Sequence, residues 1–257
     1  MKDYSYADLI ARNWGFLTSQ DQEKIKEAKI LLAGCGLGSN IATLAARTGF
    51  IRFILADGDN VEVNNLNRQA FRLEHVGKNK AEATAKLIEE INPEVEIEIL
   101  PHFITEEETT KLVTKAELIV NMVDPGPVIF SLNHVACHQN KMVFFPLNIG
   151  FGGMALVFSP DSATLEDILE KEVPEEVIFH RLIEKLTPFL PQLNSYFKQF
   201  PEVVDDITRR VRPVPQLGIA ASINASLIVT AMIRTVLGLP VKVAPYPLAL
   251  DAWTYNQ

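Results

Sequence analysis

The sequence is poor in cysteine. Cys35 and Cys137 are its only two, far apart and with no Cys-x-x-Cys pair. That excludes a structural zinc site built on thiolates, and with no disulfide framework a reducing compartment is expected. Basic residues are also in short supply. The 24 Lys and Arg are outnumbered by 32 Asp and Glu, for a net charge of -8. A nucleic-acid surface needs a basic field, so a nucleic-acid partner is not expected. Long hydrophobic runs are missing too. The first ten residues, "MKDYSYADLI", hold no apolar signal core, and the most apolar late segment, 217–236, is interrupted by Ser222, Asn224, Ser226, Thr230 and Arg234. Its longest unbroken run falls far below the roughly 18 residues a membrane span wants. The expectation is a cytoplasmic protein with no membrane association. No internal repeat or low-complexity segment stands out.

What is present is apolar sequence in short, regular portions. Hydrophobic residues make up 47% of the 257 and charged ones 22%, enough to bury a full core. Residues 17–28 carry a capping pattern at Thr18 or Ser19 and read as a helix. Residues 29–34 and 51–57 read as buried strands around a helix at 41–48. Residues 80–91 have helical apolar spacing, stopped by Asn92-Pro93. Strands at 95–100 and 116–124, helices at 106–114 and 131–140, and strands at 142–150 and 152–160 complete the alternation. Such an order predicts an α/β fold, Rossmann-like and doubly wound, with a mostly parallel sheet covered on both faces. Residues 1–160 form its nucleotide-binding core. Residues 161–215 change character, rich in Glu, Phe and Pro, and read as an inserted helical segment serving as a lid or partner surface. Residues 216–257 supply a helix and tail that complete the same domain. The many Ala and Ser in that helix favour core packing over a dimer interface.

Three features carry chemistry. The first is Gly34-Cys35-Gly36-Leu37-Gly38-Ser39, between a strand and a helix. Glycines there let a phosphate approach the backbone, and a helix N-terminus supplies free N–H groups. Alone, with Ser39 where a third motif glycine would stand, it is a weak signal. The second is "DGDNVEVNNLNRQ". Asp57 lies 19 residues after Gly38, where an acid meets ribose hydroxyls. Arg68 follows, and Lys80 opens the next helix, a poor place for a cation unless an anion is near. Together they read as a polyphosphate clamp for ATP. Asp59 is either a second nucleotide contact or an acid that stabilises the turn. The third is Asp124 in "NMVDPGP", an isolated carboxylate at the carboxyl edge of the sheet. It suits Mg²⁺, or else caps the following helix. A hydride-transferring, NAD-dependent oxidoreductase would need Asp57 but not Arg68, Lys80 or Asp124. An inactive nucleotide-binding partner protein would be free to lose all three.

The residues "ARNWG", "GCGLGS", "DGDNVEVNNLNRQ", "VGKNKAEA", "EEINP" and "VNMVD" together resemble the ubiquitin-activating, ThiF/MoeB-like adenylyltransferases, over residues 10–158 and again over 217–238. The resemblance implies an enzyme using ATP and Mg²⁺ to activate a substrate carboxylate as an acyl-adenylate. It places Gly34, Gly36, Leu37, Gly38, Asp57, Asp59 and Gln69 on the nucleotide, Asn65, Arg68 and Lys80 on its phosphates, and Asp124 on the metal. It also implies a homodimer in which Arg12 reaches the partner's ATP. The chain departs from the family pattern in three ways. Its phosphate loop is one residue short, the zinc-binding Cys pairs are absent, and neither Cys sits where a thioester-forming Cys would; both read as small buried residues. The resemblance therefore implies activation without zinc or an enzyme thioester. The substrate is then a small-molecule or peptide carboxylate, or the C-terminal glycine of a ubiquitin-like carrier protein. A tRNA-borne carboxylate is disfavoured by the acidic charge. His102, His134, His138 and His180 show no ligand spacing.

Overall fold

The computed structural model describes residues 4–170, 174, 177–189, 202 and 215–253. Seven strands form one sheet: β1 (Lys29–Ala33), β2 (Arg52–Ala56), β3 (Glu96–Leu100), β4 (Leu118–Asn121), β5 (Met142–Ile149), β6 (Gly152–Phe158) and β7 (Leu248–Asp251). Their order is β3-β2-β1-β4-β5-β6-β7. The first five are parallel, with Ile30 opposite Phe53 and Leu118; β6 and β7 run antiparallel to their neighbours. The chain winds outward from β1 in both directions, so the crevice between β1 and β4 is the topological switch point where such sheets bind ligands.

Apolar residues occupy successive positions because both faces are covered. Ile30, Leu32, Phe53, Leu55 and Phe144 pack on one side with α2 (Ser19–Glu27), α3 (Gly38–Thr48), α4 (Lys80–Glu89) and a long helix, α9 (Gly218–Val236). Leu31, Ile54, Ile119, Phe145 and Leu156 pack on the other with α5 (Glu106–Lys115) and α6 (Pro127–His138). By length and a mean hydropathy of 1.6, α9 could cross a membrane. Its packing on β5, β6 and α3 accounts for that apolarity instead. Ala45 and Ala46 of α3 and Ala225 and Ala231 of α9 share one buried cluster, and their small size lets the two helices approach closely.

The capping pattern at residue 18 is realised in full. The Thr18 hydroxyl accepts from the N–H of Asp21, and the Asp21 carboxylate accepts from the N–H of Thr18. Elsewhere the boundaries move. α6 begins at Pro127, a turn before residue 131, because proline at the first helical position already lacks the N–H that would go unpaired there. β7 was not expected from the sequence, which suggested only a tail. It is four residues long and half exposed, so it lacks the continuous apolar signal of the central strands. Of the inserted segment, α7 (Leu165–Leu169) and α8 (Ile178–Leu186) bury Leu165, Leu169, Ile178, Leu182 and Leu186 in the same core as α5 and α6. Residues 171–173, 175–176, 190–201 and 203–214 of the expected lid or partner surface lie outside the described residues. Cys35 is fully buried, whereas Cys137, expected to be buried, is only partly so.

Candidate active site

A cleft of about 420 Å³ opens at the carboxyl ends of the parallel strands. Its walls are the loops after β1 (Gly34, Gly36, Leu37), β2 (Asp57, Asp59), β3 (Phe103, Ile104) and β4 (Met122, Val123, Asp124), together with the end of β5 and Gln216 just before α9. Gly34 is required. Its φ is +101°, and an added Cβ would stand 2.6 Å from the Met122 carbonyl oxygen. Its N–H donates to Ala56 O at 2.8 Å. No described group accepts from the N–H of Gly36, Leu37 or Gly38, so the loop and the start of α3 present three free donors together. Ser39, in the place of the third motif glycine, braces the loop. Its hydroxyl donates to Gly36 O at 2.7 Å and accepts from Ala70 N at 3.0 Å.

Asp57 is 9% exposed, and its two carboxylate oxygens accept from Cys35 N at 2.7 Å and Asp59 N at 2.9 Å. It thus fixes the phosphate loop to the end of β2. Burial raises its pKa above the usual carboxylate value, against the pull of those two N–H groups. Asp59 pairs with Lys80 Nζ at 2.7 Å, and Asp59 O accepts from Lys80 N at 2.9 Å. The anion that explains a lysine at the start of α4 is therefore, in the free protein, Asp59. The Asn79 side chain caps the same helix by accepting from Ala81 N and Glu82 N.

Among the described residues Arg68 has no carboxylate partner. Its Nη1 donates to Asn64 O at 2.8 Å and Asn67 Oδ1 at 2.9 Å, while Nε is buried with no partner. Burial lowers its pKa below the usual guanidinium value. A half-buried cation with an unused donor beside free loop N–H groups suits an anion, and the triphosphate of ATP has that chemistry. Asp124 is exposed, lines the cleft and makes no hydrogen bond or ion pair with the described residues. It does not cap α6, whose N-cap is Gly126 without a side-chain bond. Among the described residues no three His, Cys, Asp or Glu side chains gather as a metal cluster. Asp124 fits the one- or two-carboxylate binding typical of Mg²⁺, the remaining ligands coming from phosphate and water.

The cleft therefore brings together Gly34, Gly36, Leu37, Asp57, Asp59, Arg68, Gln69, Lys80 and Asp124. It does not bring in Gly38, Asn65 or Arg12. Gly38 is buried as the first residue of α3. The Asn65 side chain is used locally, its Oδ1 accepting from Glu62 N at 3.1 Å and its Nδ2 donating to Asn64 Oδ1 at 2.6 Å. Arg12 is exposed on a single turn, Ala11–Asn13, near Trp14 and Phe16, which are 78% and 96% exposed. Sequence reasoning missed Phe103, Asn121, Asn148 and Gln216 in the walls. Asn121 and Asn148 had left a signal, each a polar residue late in an apolar strand. Phe103 and Gln216 had left none. Of the histidines, His102 and His134 pair with Glu108 at 3.0 Å and Glu166 at 2.8 Å on the surface.

Comparison with known proteins bears on the family and the fold. The sulfur carrier protein ThiS adenylyltransferase of Escherichia coli is 27% identical over 141 residues, covering 54% of this chain and 56% of the relative. The sulfur carrier protein adenylyltransferase of Thermus thermophilus is 30% identical over 141 residues, covering 54% and 52%. Ubiquitin-like modifier-activating enzyme 5 of Drosophila willistoni is 32% identical over 139 residues, covering 49% and 34%. The matched part is thus about half the length of the first two relatives and about a third of the last. Among solved structures, E. coli MccB with ATP has the same fold at a TM-score of 0.64 and 19% identity, over 90% of this chain and 63% of that one. PaaA has it at 0.65 and 20%, over 91% and 64%. The ThiF family model matches residues 7–257. The chain is a member of the ThiF family.

Proposed function

We propose that this protein is an ATP- and Mg²⁺-dependent adenylyltransferase that activates a substrate carboxylate without forming an enzyme thioester. A carboxylate oxygen bonds to the α-phosphorus of ATP, the bond from that phosphorus to the bridging oxygen breaks, and pyrophosphate leaves with the electron pair. An acyl-adenylate remains. Little covalent chemistry falls to the protein; positioning and charge neutralisation supply the rate. The loop N–H groups of Gly36 and Leu37 hold phosphate oxygens, and the guanidinium of Arg68 turns to the same anion. Asp57 keeps the loop in place and faces the ribose. Lys80, 12% exposed, exchanges or shares its bond to Asp59 with a phosphate oxygen. A Mg²⁺ ion held by Asp124 would neutralise charge on the leaving pyrophosphate.

The observation that carries this reading is Arg68, a half-buried guanidinium that lines a cleft also offering free loop N–H groups and whose buried Nε has no partner among the described residues. A nicotinamide enzyme has no use for it. Cys35 supports the absence of a thioester, since it is wholly buried and burial pushes its thiol pKa well up. The substrates of the relatives, a sulfur carrier protein and the peptide MccA, make the C-terminus of a peptide or small carrier protein the leading class here, with a free acid of cofactor biosynthesis as the other. We read the enzyme as a homodimer. Arg12 has no described partner and stands beside two exposed aromatic residues, as an interface residue would. Titration calorimetry with Mg²⁺ and a non-hydrolysable ATP analogue, set against NAD, tests the reading. It predicts binding of the first alone; binding of NAD alone would overturn it.

A further inference from the structure

We infer that Asn148 is a substrate-positioning residue whose side-chain amide donates to the acyl oxygen that becomes the carbonyl of the adenylate. The inference rests on the adenylation reading above. Asn148 lies near the carboxyl end of β5 and lines the cleft. Its Oδ1 is taken by the Nδ2 of Asn224, on α9. Its own Nδ2 is buried and has no partner. Buried amide N–H groups are rarely left unmade, because each costs on the order of 1–3 kcal/mol. Asn148 lines the cleft, so a small turn of its side chain would bring this donor to a ligand there.

The position of β5 in the sheet says which part of the ligand it meets. The order β2-β1-β4-β5 puts three inter-strand steps between Asp57 and Asn148, roughly 14 Å at the usual strand spacing. The phosphate loop after β1 lies between them. With the ribose at Asp57 and the phosphates over the loop, Asn148 faces the side from which the carboxylate arrives. Among the described residues, the nearby wall of Phe145, Pro146 and Leu147 carries no cation. This suits the chemistry. A cation on the attacking carboxylate would draw off the charge that makes it a nucleophile. A neutral amide orients one oxygen toward itself and leaves the other for the α-phosphorus.

Asn148 is also held firmly. β6 approaches α9 so closely at Gly153 that a Cβ there would stand 2.8 Å from the backbone nitrogen of Asn224. Asn224 is 3% exposed. The amide of Asn148 is therefore held through its Oδ1 by a buried neighbour, whose own Oδ1 is likewise buried without a partner among the described residues.

The test needs no knowledge of the natural substrate. 5′-O-(N-acetylsulfamoyl)adenosine carries the acyl carbonyl that every adenylate shares; 5′-O-sulfamoyladenosine lacks it. The readout is the ratio of their dissociation constants by calorimetry, so a general loss of nucleoside affinity does not count. Wild type should favour the acylated compound by about 3- to 10-fold, the worth of one neutral hydrogen bond. Asn148→Ala should bring the ratio to near 1. Asn148→Asp keeps the shape and the acceptor for Asn224 but places an oxygen against the acyl oxygen, and should invert the ratio. Asn224→Ala should lower it part of the way. A wild-type ratio near 1, or an unchanged ratio in a folded Asn148→Asp protein, would overturn the role of Asn148 alone. Failure of wild type to bind either compound would overturn the adenylation reading beneath it.

Discussion

Replacing Arg68 should weaken nucleotide binding without weakening the free protein. In the free state the guanidinium makes two hydrogen bonds, to Asn64 O and Asn67 Oδ1, and neither partner is charged. Against them stand the burial of a cation, which lowers its pKa, and an orphaned Nε. Two neutral-acceptor bonds are worth about 1–3 kcal/mol together, and one buried unpaired donor costs about as much. The net contribution to folding is therefore near zero. In the complex the balance changes, because a phosphate oxygen on Nε makes a charge-assisted bond worth about 1.5–3 kcal/mol. Arg68→Ala should then lose roughly 10- to 150-fold in affinity for a Mg²⁺-bound, non-hydrolysable ATP analogue. Its urea midpoint in the absence of nucleotide should stay near that of wild type. Calorimetry and urea unfolding on the same preparations give both numbers. If the variant binds within twofold of wild type, Arg68 does not hold phosphate. If it unfolds far more easily with affinity intact, Arg68 serves the fold.

Other substitutions separate the remaining parts of the site. Asp124→Ala should abolish Mg²⁺-dependent turnover yet leave the thermal midpoint almost unmoved, since an exposed side chain with no described partner contributes within about 0.5 kcal/mol; a large drop in stability would give it a structural role instead. Asp57 should impose a pH dependence. Its folded pKa is raised by burial, so its favourable contribution is present below the unfolded value and is lost as pH rises through the folded one. The stability of wild type minus that of Asp57→Asn, from urea unfolding, should accordingly fall from about pH 4 toward neutrality, and a flat or rising difference would contradict the burial argument. For Arg12, mixing inactive Arg12→Ala and Asp124→Ala subunits should restore about a quarter of wild-type activity, because half of randomly mixed dimers hold one complete site. No recovery after verified subunit exchange would rule out an arginine lent across a dimer.

The central sheet was readable because its strands are buried on both faces. The runs at residues 29–34, 51–57 and 142–150 carry apolar side chains at successive positions, and no exposed strand would do so. β7 was not readable for the opposite reason, being short, at the edge and half exposed. In the site, Asp57, Arg68 and Asp124 stood out because cations and acids follow buried strands where a packed core has no use for them. The partnership of Asp59 with Lys80 was half visible. A lysine at a helix start requires an anion, but sequence spacing does not say whether the protein or the ligand supplies it. Asn65 reads like a phosphate ligand in its motif, yet its side chain closes a turn. That depends on local geometry around Glu62 and Asn64, which residue type alone does not encode. Phe103 and Gln216 reach the cleft only because loops from distant segments converge there.

The most direct test of the account is carboxylate-dependent exchange of labelled pyrophosphate into ATP. The panel should hold a carrier protein ending in glycine, peptides with free C-termini and simple organic acids. The account predicts exchange that requires both Mg²⁺ and one class of carboxylate, and that disappears in Arg68→Ala and Asp124→Ala. Exchange that persists undiminished in both variants would contradict it, as would a protein that binds NAD and catalyses no exchange with any carboxylate.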